Sequence, residues 1–294
     1  MRKLLSMLTL ALVANACATA GATSGTPGAS GSMHLETIGP APNYSVQTGS
    51  TNLILRMAEE GGFVAPGYLL TETPQFALYG DGTVIVPGPV DMIYPGPLLP
   101  NLRVLHVAPD EIQRLLAAAD ADGLLGPDAS YDATNVADAG TTVFTTTADG
   151  LTHVIRAYAL MAEAKTDDAA ATAARAKLLD FQAKLADLAG FLGRAVPDAG
   201  TYDATAMRVF TSPAPTATDS GVTPQIVTWP LSLDPTAAGQ TTSAADTRCV
   251  AISGADLASF LSVAKTANAA TIWTAPSGNF SVSVRPLYPD ESGC

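Results

Sequence analysis

The chain has 294 residues, 15 of them basic and 27 acidic, for a formal net charge of −12. That balance excludes nucleic-acid binding, which needs a basic stripe to neutralise phosphates, and it excludes charge-driven docking on anionic headgroups. With 47% hydrophobic residues the chain is long enough for one large core or two smaller domains.

Residues 1–16 are predicted to be an export signal. Arg2 and Lys3 make the basic start, Leu4 to Val13 the apolar run, and Ala14-Asn15-Ala16 the small-residue end. The apolar run is too short to span a bilayer. Cys17 follows directly, which resembles a bacterial lipoprotein signal whose cysteine becomes the lipidated first residue. The alternative is cleavage by ordinary signal peptidase after Ala16 or Ala18, since Ala14 and Asn15 depart from the lipoprotein pattern. Without Arg2 and Lys3, 13 basic residues stand against 27 acidic ones, a net charge of −14.

Cysteine arithmetic favours lipidation. Exported chains tend to pair their thiols, and Cys17, Cys249 and Cys294 are an odd number. Lipidating Cys17 leaves Cys249 and Cys294 as one disulfide. Residues 17–50 carry Ala, Thr, Gly, Ser and Pro with little apolar bulk, and are expected to form a flexible tether.

The first folded unit is placed at residues 51–196. Leu53 to Met57 and Gln75 to Val86 read as strands, with Gly80-Asp81-Gly82 a hairpin turn. Val90 to Asn101 holds Pro95, Pro97 and Pro100 and is expected to be an ordered surface loop, because proline cannot donate to a ladder. Its aromatic and apolar residues, Tyr94, Pro95, Pro97 and Leu98, are the candidate partner-binding set: a proline-stiffened loop loses little entropy on binding. The competing reading folds Tyr94 and Leu98 back over the sheet.

Leu102 to Val107 leads into a helix opened by Pro109. Ile112, Leu115, Leu116 and Ala119 make one apolar stripe, and Gly123 ends it. A hairpin follows, Thr142 to Thr145 returning as Val154 to Tyr158 around Asp149-Gly150. Thr166 to Leu192 reads as one long helix capped by Thr166, with Asp167 and Asp168 in its first turn.

The second, smaller unit is placed at residues 197–294. Strands are expected at Ala206 to Phe210 and Gln225 to Trp229, with loops at Thr211 to Pro224 and Leu233 to Thr247. Gly254 to Lys265 repeats the helical stripe with Leu257, Phe260, Leu261 and Ala264, and Ser253 and Asp256 form a capping-box-like pair. A hairpin again follows, Thr271 to Thr274 returning as Val282 to Leu287 across Ser277-Gly278-Asn279. The two hairpins align without a gap, with Arg156 opposite Arg285. The fold class expected is therefore α+β, two tandem related units, each an antiparallel sheet with a packed helix.

From Phe76 through Val84, the helix, and Asp138-Ala139-Gly140-Thr141-Thr142, the chain resembles a family of uncharacterised exported bacterial lipoprotein-like proteins. Trp229-Pro230-Leu231 and Cys249 are similar to that group as well. The resemblance implies location and architecture, and no catalytic residue comes with it. The tandem helix-on-sheet plan is also similar to PepSY-like modules and beta-lactamase-inhibitor-like proteins, a likeness of fold alone.

No catalytic, metal or cofactor set is assigned. Gly-x-Ser-x-Gly and Ser-x-x-Lys are missing. His34, His106 and His153 read as structural or surface residues. Asp219-Ser220-Gly221 lies in a loop without apolar flanks, and Asp120-Ala121-Asp122-Gly123 lacks both key ligands of a calcium loop. The expected function is that of a binding or interaction protein, membrane-held by its N-terminal lipid on the extracytoplasmic side of a bacterial envelope, with an unidentified envelope protein or ligand as partner. The alternatives are an exported hydrolase without a recognisable motif and a structural envelope component.

Overall fold

The computed structural model describes residues 43–162, 166, 168–215 and 221–294. The export signal, Cys17 and most of the expected tether lie outside these residues. In the first half the elements run β1 (Leu53–Gly61), α1 (Pro66–Thr71), β2 (Phe76–Tyr79), β3 (Thr83–Pro87), β4 (Leu102–His106), α2 (Pro109–Ala121), β5 (Ala129–Tyr131), β6 (Gly140–Ala148), β7 (Leu151–Tyr158), α3 (Ala169–Ala186), α4 (Leu188–Leu192) and β8 (Asp198–Thr201). The second half runs β9 (Ala206–Pro213), β10 (Ile226–Thr228), β11 (Gln240–Thr241), β12 (Arg248–Ser253), α5 (Gly254–Ala264), β13 (Ile272–Ala275) and β14 (Gly278–Pro286).

The fold is α+β with one sheet per half. The first sheet has the order β5-β7-β6-β1-β2-β3-β4-β8, the second β10-β13-β14-β9-β12-β11. Both are antiparallel except at one edge, where β5 runs parallel to β7 and β10 parallel to β13. The expected stripes bury as the helical period demands. Ile112, Leu115, Leu116 and Ala119 of α2 pack with Phe144, Ile155, Phe181 and Leu185 over one face of the first sheet. Leu257, Phe260 and Ala264 of α5 pack against Trp229, Trp273 and Phe280 on the second.

All four residues of β2 are buried. The period-two geometry of a strand explains how. Phe76 and Leu78 face the helices, whereas Ala77 and Tyr79 face the other way, onto Tyr288 beyond the end of β14. Both faces of the first sheet are thus covered, and an all-apolar strand replaces the usual alternation.

The structure corrects several local expectations. Folding begins before residue 51: Tyr44 is buried, its N–H donates to Gln113 Oε1 at 2.7 Å, and its hydroxyl donates to Asp120 at 2.9 Å. The expected long helix breaks at Asp187, whose carboxylate accepts from the Gly190 N–H at 2.9 Å and starts α4. Asp168 caps α3 by accepting from Ala170 N–H; the expected first-turn Asp167 lies outside the described residues. Ser253 occupies the cap position of α5 without a capping hydrogen bond. The boundary at 196 falls one strand early, because β8 pairs with β4 in the first sheet. The second hairpin turns at Pro276-Ser277, with Gly278 already paired to Ala275.

The two hairpins also enter their sheets differently. In the first half the leading strand β6 pairs with β1. In the second the returning strand β14 pairs with β9. Arg156 therefore lies on an outer strand and Arg285 on an inner one. The halves share a plan without matching strand for strand.

Candidate functional site

Cys249 and Cys294 form the expected disulfide, with an S–S distance of 2.08 Å and α-carbons 5.9 Å apart. It fixes the segment after β14 against β12. Along that segment Tyr288 packs on the first sheet and Glu291 takes both Nη atoms of Arg285, at 2.7 and 2.8 Å. Burial works to raise the Glu291 carboxyl, but hydrogen bonds and charge from Arg285 outweigh it and hold it below its ordinary value.

The proline-rich loop divides into a rooted base and a free tip. At the base, Leu98 N–H donates to Ala267 O at 3.1 Å and Ala269 N–H donates to Gly96 O at 2.9 Å. Leu98 is 8% exposed and belongs to the core of the second half. It is not part of a contact surface, and this corrects its place in the candidate set. Pro97 is exposed and bridges to Asn268, while Pro95 is half-buried. Tyr94 is 73% exposed, Ile93 61%, Met92 100% and Val90 68%. The apolar tip therefore stands in solvent on a base fixed to the second half. The sequence marks the prolines and Tyr94 but not Met92 or Val90, because nothing in it says which side chains the loop base absorbs.

His34 lies outside the described residues, and the other two histidines do not converge. His106 sits on β4 and His153 on β7, with β3, β2, β1 and β6 between them, and His153 Nδ1 bonds Gly126 O at 2.7 Å. Among the described residues no group of three or more His, Cys, Asp or Glu is placed to hold a metal.

Several cavities among the described residues carry polar groups, among them two that set carboxylates beside apolar walls. One of about 510 Å³ lies beside Trp229, Leu231 and Asp234. Its carboxylate is already engaged, since Asp234 Oδ1 accepts from Thr236 N–H, Thr236 Oγ1 and Ser277 Oγ, each at 2.9 Å. The other, of about 290 Å³, opens where β1 and α1 face β9 and β14, and is lined by Arg56, Glu59, Glu72, Arg208, Arg285 and Glu291 among others. Its residues come from positions far apart in the chain, and no local motif announces them.

Comparison with protein-family models, with curated proteins and with solved structures found no match.

Proposed function

We propose that the chain is an exported, lipid-anchored interaction protein that meets an envelope partner through the tip of the proline-rich loop. The observation that carries this reading is the run Met92, Ile93 and Tyr94, with Val90 on the far side of the exposed Asp91, held in solvent by a loop whose base is pinned through Leu98. Scattered apolar residues on a surface need no explanation, but three consecutive exposed side chains on a loop bonded at its base are what a partner surface covers. Support for the anchor comes from the basic, apolar and small-residue order of residues 1–16, from Cys17 directly after it, and from the engagement of the other two cysteines with each other.

The test is recovery of partners from the native envelope by the anchored protein and by a Met92→Ser, Ile93→Ser, Tyr94→Ala triple variant. The reading expects a discrete partner recovered by the unaltered chain and lost by the variant at equal folded amounts. Equal recovery by both rejects the loop as the contact.

A further inference from the structure

The cleft between the halves contains charges that the fold leaves unpaired on both sides. Arg208 on β9 lies in register opposite Arg285 on β14. Arg285 is satisfied by Glu291 and by Glu72 O, which its Nε–H reaches at 2.8 Å. Arg208 donates to backbone carbonyls, from Nε to Gly293 O at 2.8 Å and from Nη2 to Ser292 O at 3.5 Å. Among the described residues no carboxylate stands within ion-pair distance of it. Burial, and then the neighbouring Arg285 charge, push its guanidinium below its ordinary value, against a smaller opposing pull from the Glu291 carboxylate that Arg285 already holds.

The first half contributes the opposite sign. Glu59 on β1 accepts a hydrogen bond from Thr142 Oγ1 at 2.9 Å, and Glu72 closes α1. Among the described residues neither has a basic side chain within ion-pair distance. Burial raises both carboxyls, Thr142 partly offsets this at Glu59, and the Glu59 charge raises Glu72 further. Half-buried charges without partners are costly, and a fold that keeps both signs around one cavity is completed by a ligand that carries both. Leu69, Leu70 and Pro74 add an apolar wall.

We propose that this cleft binds a small zwitterion, a free amino acid or a dipeptide, with its ammonium group at Glu59 and Glu72 and its carboxylate at Arg208. The space of about 290 Å³ suits a ligand of that size. A simple anion would meet two uncompensated glutamates, and a simple amine would meet Arg208. The site needs neither the lipid anchor nor the loop tip, so it stands or falls independently of the proposed function.

Calorimetric titration of the unaltered protein decides the matter. The probes are L-leucine and L-alanyl-L-alanine, with N-acetyl-L-leucine lacking the ammonium group and L-leucinamide lacking the carboxylate. The expected result is binding of at least one zwitterion, weakened about tenfold or more when either charge is blocked. The tighter of leucine and the dipeptide identifies the natural source. Glu72→Gln is expected to narrow the difference between leucine and its N-acetyl form, and Glu72→Gln with Glu59→Gln to erase it. Arg208→Gln is expected to erase the difference between leucine and its amide, with Arg208→Lys restoring part of it. Affinity should fall on acidification as Glu59 and Glu72 take up protons. No binding at about 1 mM, equal binding of blocked and free ligands, or folded variants with unchanged discrimination each overturn the proposal. The blocked-ligand comparison uses the unaltered chain and decides even where a variant fails to fold.

Discussion

Asp290 near the end of the chain accepts two hydrogen bonds from Arg56 Nη2 on β1, at 2.7 and 3.0 Å, across 234 positions of sequence. The same carboxylate accepts the Tyr79 hydroxyl at 2.7 Å. Tyr288, two residues earlier, lies within 5.8 Å of the guanidinium groups of both Arg56 and Arg285. The final segment is therefore a strap: it starts from the second sheet, lies on the back of the first, and returns to β12 through Cys294.

Opening the disulfide should loosen that strap. Cys249→Ser with Cys294→Ser removes a loop closure spanning 45 positions, a change of roughly 2–4 kcal/mol. For a domain of this size the melting temperature should fall by about 5–15 °C. Scanning calorimetry of the double variant, beside reduced and oxidised unaltered protein, measures it; an unchanged melting temperature would show that the strap holds without the bond.

The loop makes a sharper contrast. Leu98→Ala empties a site in the second core and should cost roughly 2–3 kcal/mol, whereas Tyr94→Ala, mostly in solvent, should stay within about 0.5 kcal/mol. Denaturant unfolding of the two single variants reads both values. Equal losses would contradict the division into rooted base and free tip.

Glu111 offers a pH signature. It is 2% exposed, bonded by Arg194 through Nε at 2.5 Å and through Nη2, and it accepts the Ala108 N–H at 2.8 Å. The Arg194 hydrogen bonds hold its carboxyl below the ordinary value despite burial. A lowered carboxyl stabilises the fold above its unfolded titration range, and that stability is lost as pH falls through the folded value. Arg194→Ala leaves the carboxylate with the Ala108 N–H and the Arg114 charge; because Arg194 is itself 43% exposed, solvent screens the pair and the loss near neutrality should be about 1–2 kcal/mol. The gap between variant and unaltered protein should narrow on acidification below about pH 4. A gap constant from pH 7 down to about pH 3 would show that the pair does not control this stability.

Mass spectrometry of the mature N-terminus addresses the anchor. The expected species begins at Cys17 with acyl chains added through its sulfur. A mature chain starting at an unmodified residue at or after Cys17 contradicts it.

Sequence legibility followed locality. The Gly80-Asp81-Gly82 turn was readable because the backbone demands it: a β-carbon at Gly82 would lie 2.2 Å from Val107 O, and one at Gly80 only 1.8 Å from Gln47 O. The stripes of α2 and α5 were readable because a period of 3.6 survives without tertiary context. The break at Asp187 was hidden because the apolar run continues through it to Leu192, while the decisive contact is a side-chain cap on Gly190 N–H. The place of β8 is set by its ladder with β4, which sets Arg103 opposite Thr201 and Leu105 opposite Asp198, almost a hundred residues apart in the chain. The reversed insertion of the second hairpin left no mark, since an antiparallel pair reads alike whichever strand lies inside. The cleft was illegible for a related reason: Glu59, Glu72, Arg208 and Arg285 meet only after both sheets have formed.

The central claim, that the Met92–Tyr94 tip is the contact surface of an envelope protein, is tested most directly by site-specific photo-crosslinking in intact cells. A photoreactive residue replaces Met92 in one chain and, as a control, Ile226 in another; both positions are exposed, at 100% and 72%. The account predicts a discrete crosslinked species from position 92 that disappears with Ile93→Ser and Tyr94→Ala and does not form from position 226. No species from position 92 beyond those formed from position 226 would contradict it.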